Sequence, residues 1–237
     1  MIKLKPQRKT SSSSDSGFTI IESLLGVVVV AILLASISPV LVMSTAMRVQ
    51  SRRTEKATQA ANTFIDGVRI GSIKAPGEYD PANKIELDLV TTTNQRTLEE
   101  NLITLQKMPA PGSATDADLY FVKSDGTICK PFGANDCTKK PDSPFEEFFI
   151  QARQIIATDG DNDGYRLALR VYRGDVDFSE DLLASDGTNK KTSSVVTAGL
   201  GNKQAPAVER TVDISNINTS FGALCQRFGT KNPQGCN

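Results

Sequence analysis

The chain has 237 residues, 27 basic and 27 acidic, no histidine and no tryptophan, and 39% of it is hydrophobic. That length allows one or two domains with a real core. Charge balance offers no electrostatic attraction for nucleic acid, and the lack of histidine removes the usual base for a serine or cysteine nucleophile.

Residues 1–17, MIKLKPQRKTSSSSDSG, carry Lys3, Lys5, Arg8 and Lys9 against Asp15. Without them the chain keeps 23 bases and 26 acids, a net charge of −3. A basic leader before an apolar run holds the N-terminus in the cytoplasm and sends the C-terminal side across the membrane. That run is GFTIIESLLGVVVVAILLASISPVLVM, Gly17 to Met43. Leu24 to Met43 contains no charge, and at about 1.5 Å per residue it covers the roughly 30 Å hydrocarbon layer. A secretory signal peptide would end in a small-residue cleavage site, but the apolar run continues past Ala35, Ser36 and Ser38.

Glu22 stands at the head of this run. An ionisable residue in a membrane segment costs roughly 2.5–3.5 kcal/mol at its centre and marks a function unless it is hydrated at the interface. Both readings are open for Glu22, since Leu24 can begin the true span. Pro39 lacks an amide donor, so it should kink or locally loosen the helix.

The segment from Gly17 to Glu22, a glycine, an aromatic, an acid four residues on and a long apolar helix with an internal proline, resembles the processing site of type IV pilins and type II secretion pseudopilins. The resemblance covers about the first thirty residues after the leader. It implies cleavage by a prepilin peptidase between Gly17 and Phe18, N-methylation of Phe18, and a mature chain of 220 residues. It also implies that Glu22 neutralises the Phe18 amine of a neighbouring subunit during assembly, and that Pro39 sits where such helices often carry proline. Implied partners are other pilin or pseudopilin subunits, the prepilin peptidase and the inner-membrane assembly platform. The implied location is the cytoplasmic (inner) membrane, single-pass with the head outside, and then a pilus or pseudopilus serving motility, adhesion or secretion. The texture is similar to minor pseudopilins of cyanobacterial polysaccharide-secretion and gliding-motility systems. The rival reading is a membrane-anchored extracytoplasmic binding module that does not assemble.

Beyond the membrane run, Ala57, Ala61, Phe64 and Val68 form one stripe of an amphipathic helix, with Gly67 and Gly71 as candidate stops. The chain thus divides into a leader (1–17), a transmembrane helix segment (18–43), an amphipathic extension (44–73) and a β-rich head (74–237) that a C-terminal disulfide loop from Cys225 to Cys236 closes. The predicted fold is α+β: a long helix packed on an antiparallel sheet, as in pilins.

Within the head, APGEYDPANKIELDLVTTT suggests a turn and then an extended stretch, TLEENLITLQKM a short helix, and PAPGSATDAD a loop. LYFVKSDGTICKPF reads as two short strands about a turn at Ser124, Asp125 and Gly126. The clearest hairpin is FFIQARQIIATDGDNDGYRLALRVYRGDV, in which Leu167, Leu169 and Val171 alternate with Arg166, Ala168 and Arg170. That alternation implies one face packed, most simply against the helix. Residues 185–203 read as a polar loop and AVERTVDISNI as a last strand.

Four cysteines fall in two local pairs, Cys129 with Cys137 and Cys225 with Cys236. Three pairings are open, and oxidising conditions outside the cytoplasm favour bridges between nearest neighbours. Zinc is the rival, against which stand spacings other than C-x2-4-C and the lack of histidine. Asp159, Asp161 and Asp163 before Gly164 match the first half of a calcium loop, yet Arg170 stands where the bidentate glutamate belongs, and Asp and Gly also make ordinary hairpin turns. Asn218-Thr219-Ser220 matches a glycosylation triplet, which arises readily by chance. Glu146 and Glu147 are adjacent and point to opposite faces of a strand. No cofactor other than a possible Ca2+ is expected, and the chain reads as a non-enzyme.

Overall fold

A computed structural model describes residues 19–88, 105–140, 146–157, 164–186, 189, 191–192 and 201–228. Cα packing divides the chain into two compact units, Met1–Thr45 and Ala46–Asn237. The first contains the beginning of helix α1 (Ile20–Arg69), which is 50 residues long and the one helix among the described residues long and apolar enough to cross a membrane. From Ile20 to Val42 its large apolar side chains are exposed within the chain.

In the second unit α1 becomes amphipathic. Ala57, Ala61, Phe64 and Val68, the expected stripe, are buried together with Ala60 and Ile65. Alanine on this face lets the helix axis come close to the sheet it covers, and Phe64 fills the space between. Of the two candidate stops, Gly67 lies inside the helix, packed so tightly that a Cβ would come within 2.6 Å of Ile73 Cδ1. Gly71 ends it: its φ of +74° is left-handed, and its N–H donates to the Val68 carbonyl at 3.2 Å, closing a Schellman-type turn.

The remaining elements run α2 (Pro76–Tyr79), a 3-10 turn (Pro81–Asn83), β1 (Lys84–Leu87), β2 (Leu119–Val122), β3 (Ile128–Cys129), β4 (Phe148–Ala157), β5 (Tyr165–Arg173), β6 (Val208–Ile214) and α3 (Phe221–Phe228). The strands make one six-stranded sheet. As expected, β2 to β6 are antiparallel, in the spatial order β3-β2-β4-β5-β6. β1 departs from the antiparallel expectation by joining parallel to the far half of β4, Lys84 opposite Gln154 through Leu87 opposite Ala157. β2 pairs with the near half, Leu119 opposite Gln151 through Val122 opposite Phe148. One edge of a ten-residue strand is thus shared by two short strands of opposite direction.

The β2–β3 turn forms at Ser124 to Gly126, where the Lys123 N–H donates to the Thr127 carbonyl at 2.9 Å. The β4–β5 hairpin also forms, with Ile150 opposite Val171 and Ala152 opposite Leu169. Leu167, Leu169 and Val171 pack with Ile150, Ala152, Tyr120 and the buried stripe of α1, so the sheet is covered on that face by the helix. The opposite face is buried as well, which the alternation did not predict. Leu119, Phe121, Phe149, Tyr172, Val176 and Leu182 form a second cluster there, and Ile85, Leu87, Met108, Ile155 and Ala168 a third. The C-terminal segment, expected to be a loop from Cys225, begins instead as α3, with Cys225 in its interior. The expected helix in TLEENLITLQKM lies mostly outside the described residues.

Candidate functional site

Gly17 and Phe18 precede the described residues. Thr19 caps the start of α1: its Oγ1 accepts from the Glu22 N–H at 3.3 Å and its carbonyl from the Ser23 N–H at 3.2 Å. Thr19 and Glu22 have the spacing of a capping box, of which the Thr19 half is made. Glu22 lies in the first helical turn, where a negative charge faces the positive end of the helix dipole. Among the described residues its exposed carboxylate accepts no hydrogen bond. The helix runs unbroken through Pro39, although proline's missing N–H leaves the Ala35 carbonyl without its usual partner. Nearby hydroxyls bond back to the helix, Ser36 Oγ to the Leu33 carbonyl at 2.7 Å and Thr45 Oγ1 to the Val42 carbonyl at 2.8 Å.

In the head, Cys129 and Cys137 form a disulfide with Cα atoms 5.8 Å apart, tying the end of β3 to the loop after it. Cys137 is buried in the second cluster. Cys225 is also disulfide-bonded, while Cys236 lies outside the described residues. Beside the bridge, Lys130 Nζ sits 4.1 Å from the centre of the Tyr79 ring and 4.2 Å from that of Tyr120, and donates to the Ala117 carbonyl. Burial pulls its ammonium down to about 8, against the opposing pull of Asp118 and Asp80. Burial likewise pushes the Tyr120 hydroxyl well above the ordinary range, and this hydroxyl has no hydrogen-bond partner among the described residues.

Arg170, at the twelfth position counted from Asp159, is a residue of strand β5. It lies fully buried in β5, with Nε donating to Glu209 Oε1 at 3.0 Å and Nη1 to Gln151 Oε1 at 3.2 Å and to the Met108 carbonyl. Burial lowers its pKa, opposed by Tyr172 and Glu209. Glu209 is also held by the Ser185 N–H at 3.1 Å and by the Ser185 hydroxyl. Arg170 faces Glu209 directly in the β5–β6 register, and Arg166 faces Asp213 in the same way. Sequence inspection missed this pair of ion pairs, yet its trace is there: two arginines four apart in one strand and two acids four apart in the next match in antiparallel register.

Asp159, Asp161 and Asp163 lie outside the described residues. Gly164, which comes directly after them, has φ +78°, and a Cβ there would come within 2.5 Å of the Ile214 carbonyl oxygen, so both conformation and space require glycine. From Tyr165 onward the chain is strand, paired on both sides. Glu146 and Glu147 diverge as expected: Glu146 is half exposed and pairs with Lys56 of α1, whereas Glu147 is buried and accepts from the Lys140 N–H at 3.0 Å. Asn218 and Thr219 lie in an exposed turn, with the Asn218 N–H donating to Asn216 Oδ1 at 3.0 Å.

The fold thus places the chain in the α+β class, a long N-terminal helix whose second part packs on a predominantly antiparallel sheet in a pilin-like layout. Comparison with protein-family models, with curated proteins and with solved structures returns no match.

Proposed function

We propose that this chain is a structural, non-enzymatic subunit, a minor pilin or pseudopilin, cleaved between Gly17 and Phe18, methylated at Phe18 and assembled into a filament through its N-terminal helix. The observation that carries the reading is the division of one continuous helix: an apolar, unburied run behind a Glu22 in the first turn, then a stripe seated in the head core. In lipid the Glu22 carboxylate gains most from a partner that is also stranded there, and the Phe18 amine of a neighbouring subunit is such a partner. Further proposed partners are the prepilin peptidase and the inner-membrane assembly platform, with a polysaccharide-secretion or gliding system as the favoured setting.

Intact mass and the N-terminal peptide of the protein from native membranes test the first step: a chain starting at methylated Phe18 is expected, and one starting at Met1 would favour the anchored binding module. Glu22→Ala should insert and be cleaved normally but enter filaments at least about tenfold less well, the loss of one charge-assisted contact. Normal incorporation would end the pairing argument. The aspartates before Gly164 are read as a hairpin turn, and a melting temperature of the full chain that rises with Ca2+ over EDTA would reassign them to metal binding.

A further inference from the structure

On the sheet face away from α1, five polar side chains line an open cleft of about 230 Å3, among them Asp116, whose Oδ2 accepts from the Gly112 N–H at 2.8 Å and the Ser113 N–H at 3.1 Å. Three are almost wholly buried: Asn83 is 2% exposed, Asp118 4% and Gln151 1%. Arg153, with its side chain 22% exposed, forms the rim. Polar groups are costly to bury unless bonded, and each is bonded on its protein side. Asp118 Oδ2 accepts from Gln151 Nε2 at 2.8 Å and from Arg153 Nε at 2.9 Å, and Gln151 Nε2 also donates to the Pro109 carbonyl at 2.7 Å. Arg153 Nη1 makes a longer bond to the Lys107 carbonyl at 3.4 Å. Asn83 Nδ2 donates to the Ala117 carbonyl at 2.8 Å and, at 3.5 Å, to that of Pro76.

These bonds leave a defined remainder. Among the described residues no donor reaches Asp118 Oδ1 or Asn83 Oδ1, and no acceptor takes Arg153 Nη2. Two fixed acceptors and one fixed donor therefore belong to residues lining the same cleft. A bare anion placed there would meet the Asp116 and Asp118 carboxylates, and a bare cation would meet the Arg153 guanidinium. A neutral hydroxyl satisfies both, because it donates one hydrogen bond while accepting another.

We propose that this cleft binds a neutral polyol through adjacent hydroxyl groups, the chemistry of a single sugar ring. One hydroxyl donates to Asp118 Oδ1 while accepting from Arg153 Nη2, and its neighbour donates to Asn83 Oδ1. The rings of Pro109 and Pro111 supply an apolar wall for the C–H face of the ligand. The volume falls below the roughly 300–1,000 Å3 of a drug-sized ligand pocket, which sets the size at one ring. Because the protein-side bonds already hold the polar groups, little ordering is required on binding. The site is independent of the filament reading and would serve an anchored module equally well.

Saturation-transfer NMR on the full chain, solubilised in a zwitterionic detergent that carries no sugar, tests this with glucose, galactose, mannose, fucose and N-acetylglucosamine as probes. At least one should receive saturation, with inorganic phosphate at the same concentration failing to displace it. Arg153→Met should weaken that binding at least about tenfold, the loss of a charge-assisted hydrogen bond, while far-UV circular dichroism and the melting temperature show a folded head. Should Arg153→Met fail to fold, Arg153→Lys, which keeps the charge but not the second Nη group, is read in its place. Silence from all five sugars, displacement by phosphate, or undiminished binding in the folded variant would each overturn the proposal.

Discussion

The two faces of the sheet are buried by different means. Towards α1 the centre of the contact is apolar: Phe64 meets the Tyr120 ring edge-on at 4.7 Å, and alanines fill in around it. On the other face loops cover the strands, and Phe121, Phe149 and Phe178 share space with a fully buried arginine and its acid. A helix satisfies its own backbone and can present a purely apolar stripe. Loops bring carbonyls that need donors, and Arg170, bonded to the Met108 carbonyl, answers one of them. The helix face is thus held by an apolar centre with polar bonds at its exposed edge, Lys56 to Glu146 and Arg210 Nη1 donating to Asn62 Oδ1 at 2.7 Å, and the loop face by packing plus directed polar bonds that are themselves buried.

The sharpest way to break this contrast is Phe64→Ala, which leaves a cavity at a site with no exposure. It should cost about 3–5 kcal/mol in equilibrium unfolding of the full chain. A cost under about 1 kcal/mol would mean that helix and sheet are not held by that contact. Next comes Arg170→Met, which leaves Glu209 without its counter-charge and the Met108 carbonyl without this donor, and should cost about 3 kcal/mol, with a double-mutant cycle against Glu209→Gln giving a coupling of about 1–3 kcal/mol. Additive effects would reduce the polar network to simple packing. Replacing Cys129 and Cys137 together by alanine opens a loop with a sequence separation of 8, and loop-closure entropy sets the expected loss at about 2–3 kcal/mol.

The smallest effect concerns pH. Lys130 loses its proton near pH 8 in the folded chain but at the ordinary lysine value when unfolded, and burial lowers Lys139 in the same direction. Below about pH 8 both states hold the Lys130 proton. Between about pH 8 and 10 the unfolded chain binds more protons than the folded one, so stability rises with pH. Above about pH 10 the sign reverses, because burial keeps Tyr120, Tyr165 and Tyr172 protonated in the folded state after they would ionise in the unfolded one. After allowing for solvent screening of a partly exposed lysine, the rise should be about 2–4 °C in melting temperature. Lys130→Gln should flatten it, and an unchanged slope would remove Lys130 as its cause.

Much of this architecture could be read along the chain. The apolar run behind Glu22, the stripe Ala57, Ala61, Phe64 and Val68, and the alternation of Leu167, Leu169 and Val171 arise from periods of about 3.6 and 2 that act between neighbouring residues. Turn residues marked the β2–β3 and β4–β5 reversals for the same local reason. The tertiary structure alone decided the pairings between distant segments: β1 lying parallel along the far half of β4, a loop face that buries Arg170 against Glu209, and a cleft uniting Asn83, Asp118 and Arg153. In the sequence Arg170 looks like a solvent-facing residue of an amphipathic strand, because alternation shows that two faces differ but not what covers the second. That covering comes from segments many residues away, and their approach depends on packing and hydrogen-bond satisfaction across the whole head, which no local period encodes.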